Sequence, residues 1–150
     1  MIPPGPAVLV RLSAGIDRLT GWRNAVRAAG MSEDAVVRGD FTMASGTIAA
    51  RELLSRFPDV DAIFIASDLM AAGALSVLAE QGKEVPRDIA VVGYDNLGVA
   101  ASTTPPLTSV IQPVVAMARA AGARLLDQLN GAPPSPPMIF APELVIRASA

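Results

Sequence analysis

Residues 91–96 read VVGYDN, and the interpretation of that short run decides the fold. Two valines and a glycine make a strand with no polar face, a pattern found where both sides of a sheet are covered. The run nevertheless ends in a phenol and a carboxylate, Tyr94 and Asp95. In open α/β sheets, ligands bind outside the carboxyl ends of the strands, so a polar tip on a buried strand points to such a crevice.

The same unit repeats on either side. From Asp17 to Ala29, Leu19, Trp22, Val26 and Ala29 recur at helical spacing, with Gly30 as a C-terminal stop. AVVRGD (35–40) is a short β-branched run. TMASGTIAARELLSRF (42–57) predicts a helix with Ile48, Leu53, Leu54 and Phe57 on its inner side, ended by Pro58. DAIFIASD (61–68) predicts a strand, LMAAGALSVLAEQG (69–82) a helix, and EVPRDIAVVGYDN (84–96) a third strand entered through Pro86. Strand, helix, strand, helix, strand with continuously apolar strands predicts an α/β fold, a parallel sheet flanked by helices on both faces.

Beyond Asn96 the pattern loosens. GVAASTTPP reads as a loop, LTSVIQP as a short strand and VVAMARAAGARLLDQLNG as an amphipathic helix ending near Gly131. APPSPP (132–137) cannot be regular, because its prolines lack backbone donors and fix φ. MIFAPELVIRAS predicts an extended closing strand. One candidate domain fits the whole length.

Composition narrows the chemistry. The chain has no Cys and no His, which removes disulfides, thiol nucleophiles and the commonest general base and metal ligand. An enzyme is therefore disfavoured. The net charge is −2 and the 12 Lys and Arg are scattered, so no basic stripe is available for a phosphate backbone. Arg11, Arg23, Arg27 and Arg51 read as surface charges. No apolar run approaches the ~18 residues of a membrane span and no signal-like segment opens the chain, which predicts a cytoplasmic protein.

Three successive strands end alike, in Asp40, Asp68 and Asp95. A parallel sheet places all three tips on one edge, where carboxylates accept hydrogen bonds from hydroxyls and the rings of Phe41, Tyr94 and Trp22 offer flat apolar faces. That combination suits a sugar or nucleoside. Structural alternatives exist for each carboxylate. Asp68 is placed to cap the helix that follows, Thr42 competes with Asp40 for the cap of its helix, and only Asp95 precedes no convincing helix. A metal site is disfavoured, since no DxDxDG-type loop is present. Arg18 stands in the first turn of its helix, where the macrodipole disfavours a cation unless a polar partner engages it. Gln112 is either a loop amide or a ligand contact.

DRLTGW, GDFT, AIFIASDLMAAGAL, VPRDIAVVGYDN, PPLTSVIQP and LVIRAS, taken in order from Asp17 to the C-terminus, resemble the effector-binding region of LacI/GalR (lactose-repressor) family transcriptional regulators. The resemblance implies a periplasmic-binding-protein-like (type I) fold, incomplete here, with a small-molecule effector held between two subdomains in a homodimer. It implies ligand contacts at Arg18, Phe41, Ser67, Asp95 and Gln112, with Ser67 standing where the family usually has Asn. It places Met70 and Thr103 near the dimer contact and packs the Val114 to Leu129 helix on a second subdomain. Residues 1–16 fall out of register with the family, and its helix-turn-helix domain is absent, so residues 1–150 read as the C-terminal portion of an effector (sugar)-binding and dimerisation domain. Operator DNA would be reached only through that absent domain. No cofactor and no metal are implied. The alternatives are a sugar-binding protein of a transport system, which shares the fold, and a doubly wound enzyme, against which stands the lack of a phosphate-cradling glycine loop.

Overall fold

The computed structural model describes residues 6–9 and 13–150. Elements follow in the order β1 (Pro6–Leu9), α1 (Ser13–Ala28), β2 (Val36–Val37), α2 (Met43–Arg56), β3 (Ala62–Ile65), α3 (Asp68–Glu80), β4 (Ala90–Asp95), α4 (Gly98–Ser102), β5 (Thr108–Ile111), α5 (Val114–Leu129) and β6 (Glu143–Val145). They form one six-stranded sheet in the order β2-β1-β3-β4-β5-β6. The first five strands are parallel, and β6 runs antiparallel to β5. Arg11 and the out-of-register residues 1–5 and 10–12 lie outside the described residues.

Strand order explains the layering. The chain steps from β1 outward to β2, then reverses across β1 to β3 and on to β4 and β5. Right-handed crossovers in opposite directions put their helices on opposite faces. Accordingly Trp22 and Val26 of α1 pack with Ala66, Val36 and Phe64 on one side. Ile63, Ile65 and Val91 meet Leu53, Met70 and Leu78 of α2 and α3 on the other. Each fully buried large side chain on that second side stabilises the fold by roughly 1.5–3 kcal/mol. The reversal creates a switch point between the carboxyl ends of β1 and β3, where crevices form in such sheets.

Helices α2 and α3 approach closely because Gly46 has no Cβ; one added there would lie 2.1 Å from the Met70 carbonyl oxygen. This contact corrects the expected inner face of α2. Ala49, Ala50, Leu53 and Leu54 are buried, while Ile48 is 68% exposed, because the close approach favours the small-residue stripe.

Two further differences from the sequence reading stand out. β1 was not anticipated as a strand. GVAAS, expected to be loop, is the short helix α4, entered at Leu97 with no side-chain cap of its own. The Leu97 amide instead donates to Asp68 Oδ2 at 2.7 Å, a partner 29 residues away that local sequence could not announce. Helix α5 buries none of its residues, and Leu125, Leu126 and Leu129 are exposed, which accords with a helix expected to pack on a second subdomain. The proline-rich 132–137 run is irregular and exposed, as expected.

The C-terminus locks the sheet. Ser149 is fully buried; its hydroxyl donates to the Val91 carbonyl at 2.6 Å and accepts from the Thr108 amide at 2.8 Å. One serine thereby ties β4 to β5 beyond β6.

Candidate functional site

Arg18 rises from the second turn of α1 across the switch point. Its guanidinium donates to the Ala66 carbonyl, just past β3, and to Asp95 Oδ1 at 3.2 Å. Gln112 Nε2 donates to the same oxygen at 2.5 Å from the end of β5. Three element ends thus converge on one carboxylate oxygen. Among the described residues, Asp95 Oδ2 has no hydrogen-bond partner, which leaves one acceptor of a half-buried carboxylate for a ligand.

Aromatic rings surround the cation. The Arg18 guanidinium lies 3.9 Å from the Tyr94 ring centroid and 5.6 Å from that of Phe41, both within cation–π range. Phe64 meets Tyr94 edge to face at 6.4 Å. Burial pushes the Asp95 carboxyl above its ordinary value, with the Arg18 charge and the Gln112 hydrogen bond pulling the other way.

The three strand-end carboxylates have three separate roles. Asp40 is exposed; its Oδ1 accepts from the Thr42 hydroxyl at 2.6 Å and the Thr42 amide at 3.1 Å, and these bonds, the hydroxyl's first, lower its pKa to about 2. It braces Phe41, a non-glycine residue held at φ 69°. Asp68 is fully buried, and burial pushes its carboxyl up while Ser109 and Leu97 oppose the shift. The Asp95 charge adds to the raising of the Asp68 carboxyl, whereas the exposed Asp40 is bound to its own helix start, so the expected convergence of three carboxylates reduces to the Asp68–Asp95 pair.

Other expected positions fall differently. The cap of α3 is Ser67, not Asp68: the Ser67 hydroxyl accepts from the Met70 amide at 3.3 Å, and the residue is buried. The hydroxyl thereby accepts at the start of the helix. Met70 is fully enclosed between α2 and α3 and offers no surface to a partner, whereas its neighbour Leu69 is 41% exposed. Thr103 is half-buried, its hydroxyl donating to the Pro105 and Ala100 carbonyls. Trp22 is buried, packed with Val26 and Ala66.

A concavity of about 650 Å³ runs between α1 and the open part of the sheet over Phe64, Val92, Tyr94 and Val110, and Asp95 and Gln112 do not line it. It is almost wholly apolar and touches the polar cluster only through Arg18 and Tyr94. Convergent polar groups mark a ligand site better than volume does, so the Asp95 crevice is the candidate.

A carboxylate, a guanidinium, an amide and aromatic rings gather at the carboxyl ends of the strands, and residues 7–150 match the periplasmic binding protein-like domain family. The chain is 48% identical over 148 residues to the HTH-type transcriptional regulator CelR of Thermobifida fusca, covering 97% of this chain and 43% of CelR. A CelR–cellobiose complex superposes with a TM-score of 0.93 at 46% identity, covering 97% of this chain and 46% of that one. A LacI-family sugar-binding transcriptional regulator from Escherichia coli, complexed with phosphate, gives 0.87 at 33% identity, covering 97% and 54%. The chain belongs to the LacI family of transcriptional regulators and corresponds to part of the effector-binding domain. It spans less than half the length of CelR.

Proposed function

We propose that this chain is the effector-sensing portion of a LacI-type regulator that holds a sugar or related metabolite at Asp95 and carries out no catalysis. The observation that carries the reading is the free Oδ2 of Asp95, beside an Oδ1 already fixed by Arg18 and Gln112. A carboxylate oxygen so placed accepts ligand hydroxyls, and the Tyr94 and Phe41 rings offer their apolar faces to a sugar ring. Cellobiose is the first ligand to try, because the similar CelR was solved with it.

The remainder of the polypeptide supplies the opposite wall of the cleft and, through a helix-turn-helix, the DNA contacts; the greater length of CelR supports this. Effector bridging both walls favours one closure angle, and a homodimer contact near Thr103 and Leu69 transmits it to operator DNA in the cytoplasm. A coupling of about 1–3 kcal/mol between the two sites suffices for a usable switch. The regulator names of the relatives favour this reading over a transport protein or an enzyme.

The test uses the full-length polypeptide carrying this chain, with cellobiose titrated by calorimetry and operator binding followed by gel shift. Asp95→Ala removes charge-assisted hydrogen bonds worth about 1.5–3 kcal/mol each, so affinity should fall roughly 10- to 100-fold while operator binding persists. Unchanged affinity in the variant would refute the assignment of Asp95.

A further inference from the structure

We infer that Asp68 is the positioning residue of the effector site, fixing the turn that presents Asp95; the inference rests on the proposed sensing role of Asp95. The turn leaving β4 is conformationally unusual. Asp95 has φ 106° and Asn96 φ 53°, two successive non-glycine residues in the left-handed half of backbone space. Such residues persist only where surrounding contacts over-determine them.

Those contacts lead to one buried carboxylate. Asp68 Oδ2 accepts from the Leu97 amide at 2.7 Å. Its Oδ1 accepts from the Ser109 hydroxyl at 2.6 Å, and Ser109 Oγ in turn accepts from the Asn96 amide at 3.1 Å. Arg147 completes the frame, donating from Nη2 to Asn96 Oδ1 at 2.7 Å and from Nη1 to the Leu107 carbonyl at 2.6 Å. Both amides after Asp95 therefore reach Asp68, one directly and one through Ser109. Gly93 belongs to the same device: a Cβ there would lie 2.5 Å from Asp68 Oδ1, so the carboxylate occupies space that only glycine leaves open.

An ordinary helix-start aspartate would explain none of this, since Ser67 already caps α3. Asp68 is the first residue of α3 with its carboxylate turned across to β4 and β5. It holds the strand-end turn from behind while Arg18 and Gln112 hold the Asp95 side chain from in front.

Asp68→Asn isolates the effect. Asn has no charge and accepts only at Oδ1: with that oxygen on the Leu97 amide, its Nδ2 meets Ser109 Oγ as a donor, so the acceptor that orients the Ser109 hydroxyl is lost. Cellobiose affinity of the full-length polypeptide is measured for wild type, Asp68→Asn, Asp95→Asn and the double variant. We expect Asp68→Asn to weaken binding about tenfold alone, as loss of an orienting partner does, and less than about twofold in the Asp95→Asn background. Equal weakening in both backgrounds would mark a general structural role and overturn the inference. A full effect of Asp95→Asn with none from Asp68→Asn also overturns it, yet leaves the sensing role standing; no effect from Asp95→Asn removes both. If Asp68→Asn does not fold, Ser109→Ala takes its place in the cycle. If wild type itself does not bind cellobiose, hydrogen exchange decides. Loss of protection at the Asn96 and Leu97 amides of Asp68→Asn, with Val91 and Val92 still protected, upholds the positioning role, and unchanged protection there overturns it.

Discussion

Gly93→Ala should be among the most damaging small substitutions in this chain. The new methyl carbon would stand 2.5 Å from Asp68 Oδ1 and 2.6 Å from Leu107 Cδ2, against the 3.4–4 Å of ordinary contact. Both neighbours are fully buried and have nowhere to retreat. If they hold, the cost is the overpacking of a close-packed interior, about 1–3 kcal/mol. If Asp68 yields, its bonds to Ser109 and Leu97 stretch, and hydrogen bonds to a buried charge contribute about 1.5–3 kcal/mol each. Whichever neighbour yields, the loss is about 1.5–3 kcal/mol, or roughly 3–12 °C in Tm for a chain of this size. Thermal unfolding followed by circular dichroism measures it. Gly122→Ala is the control, since nothing lies within 4 Å of its added Cβ and it sits inside α5, where alanine is favoured by roughly 0.5–1 kcal/mol. A Gly93→Ala protein melting within ~2 °C of wild type would refute the packing account of the β4 turn.

Two further outcomes follow from the same geometry. The carboxyls of Asp68 and Asp95 are raised in the folded chain, so the stability they contribute is fully present below the ordinary aspartate value of 3.8 and is lost as pH rises through the raised values. The stability of wild type relative to Asp68→Asn, from denaturant melts between about pH 3 and 7, should therefore decline with rising pH; an increase would contradict the dominance of burial. Thr42 caps α2 by accepting from the Ser45 amide at 3.1 Å and also binds Asp40. Thr42→Ala should cost about 1 kcal/mol and raise the Asp40 pKa from about 2 toward its ordinary value, and an unmoved carboxyl titration by NMR would deny the local bracing.

Much of the architecture was written in local periodicity. The apolar runs AIFI and AVVGYD read as strands and form strands, buried on one face and partly open on the other, and the helices between them showed their spacing and, at Gly30 and Pro58, their ends. A strand tip bearing Asp95, an arginine near the start of its helix and an amide after LTSVI were all visible as oddities; the structure begins α1 at Ser13 and so places Arg18 in the second turn. The sequence could not say that Arg18 and Gln112 share one oxygen of Asp95, since that depends on the β2-β1-β3 reversal bringing residues 77 and 17 positions apart to one point.

Where local and tertiary partners competed, tertiary contact decided. Asp68 looked like a cap, yet Ser67 took that task and left the carboxylate to hold a turn 29 residues on. Ile48 and Met70 exchanged their expected surroundings because the missing side chain of Gly46 lets two helices touch. Sequence by itself determined the element types, through hydrophobic period and backbone chemistry, and the residue kinds at the strand ends. Only the tertiary structure decided which of those polar groups meet, because hydrogen-bond partners far apart in the chain are chosen by sheet order and helix approach, which no local pattern encodes.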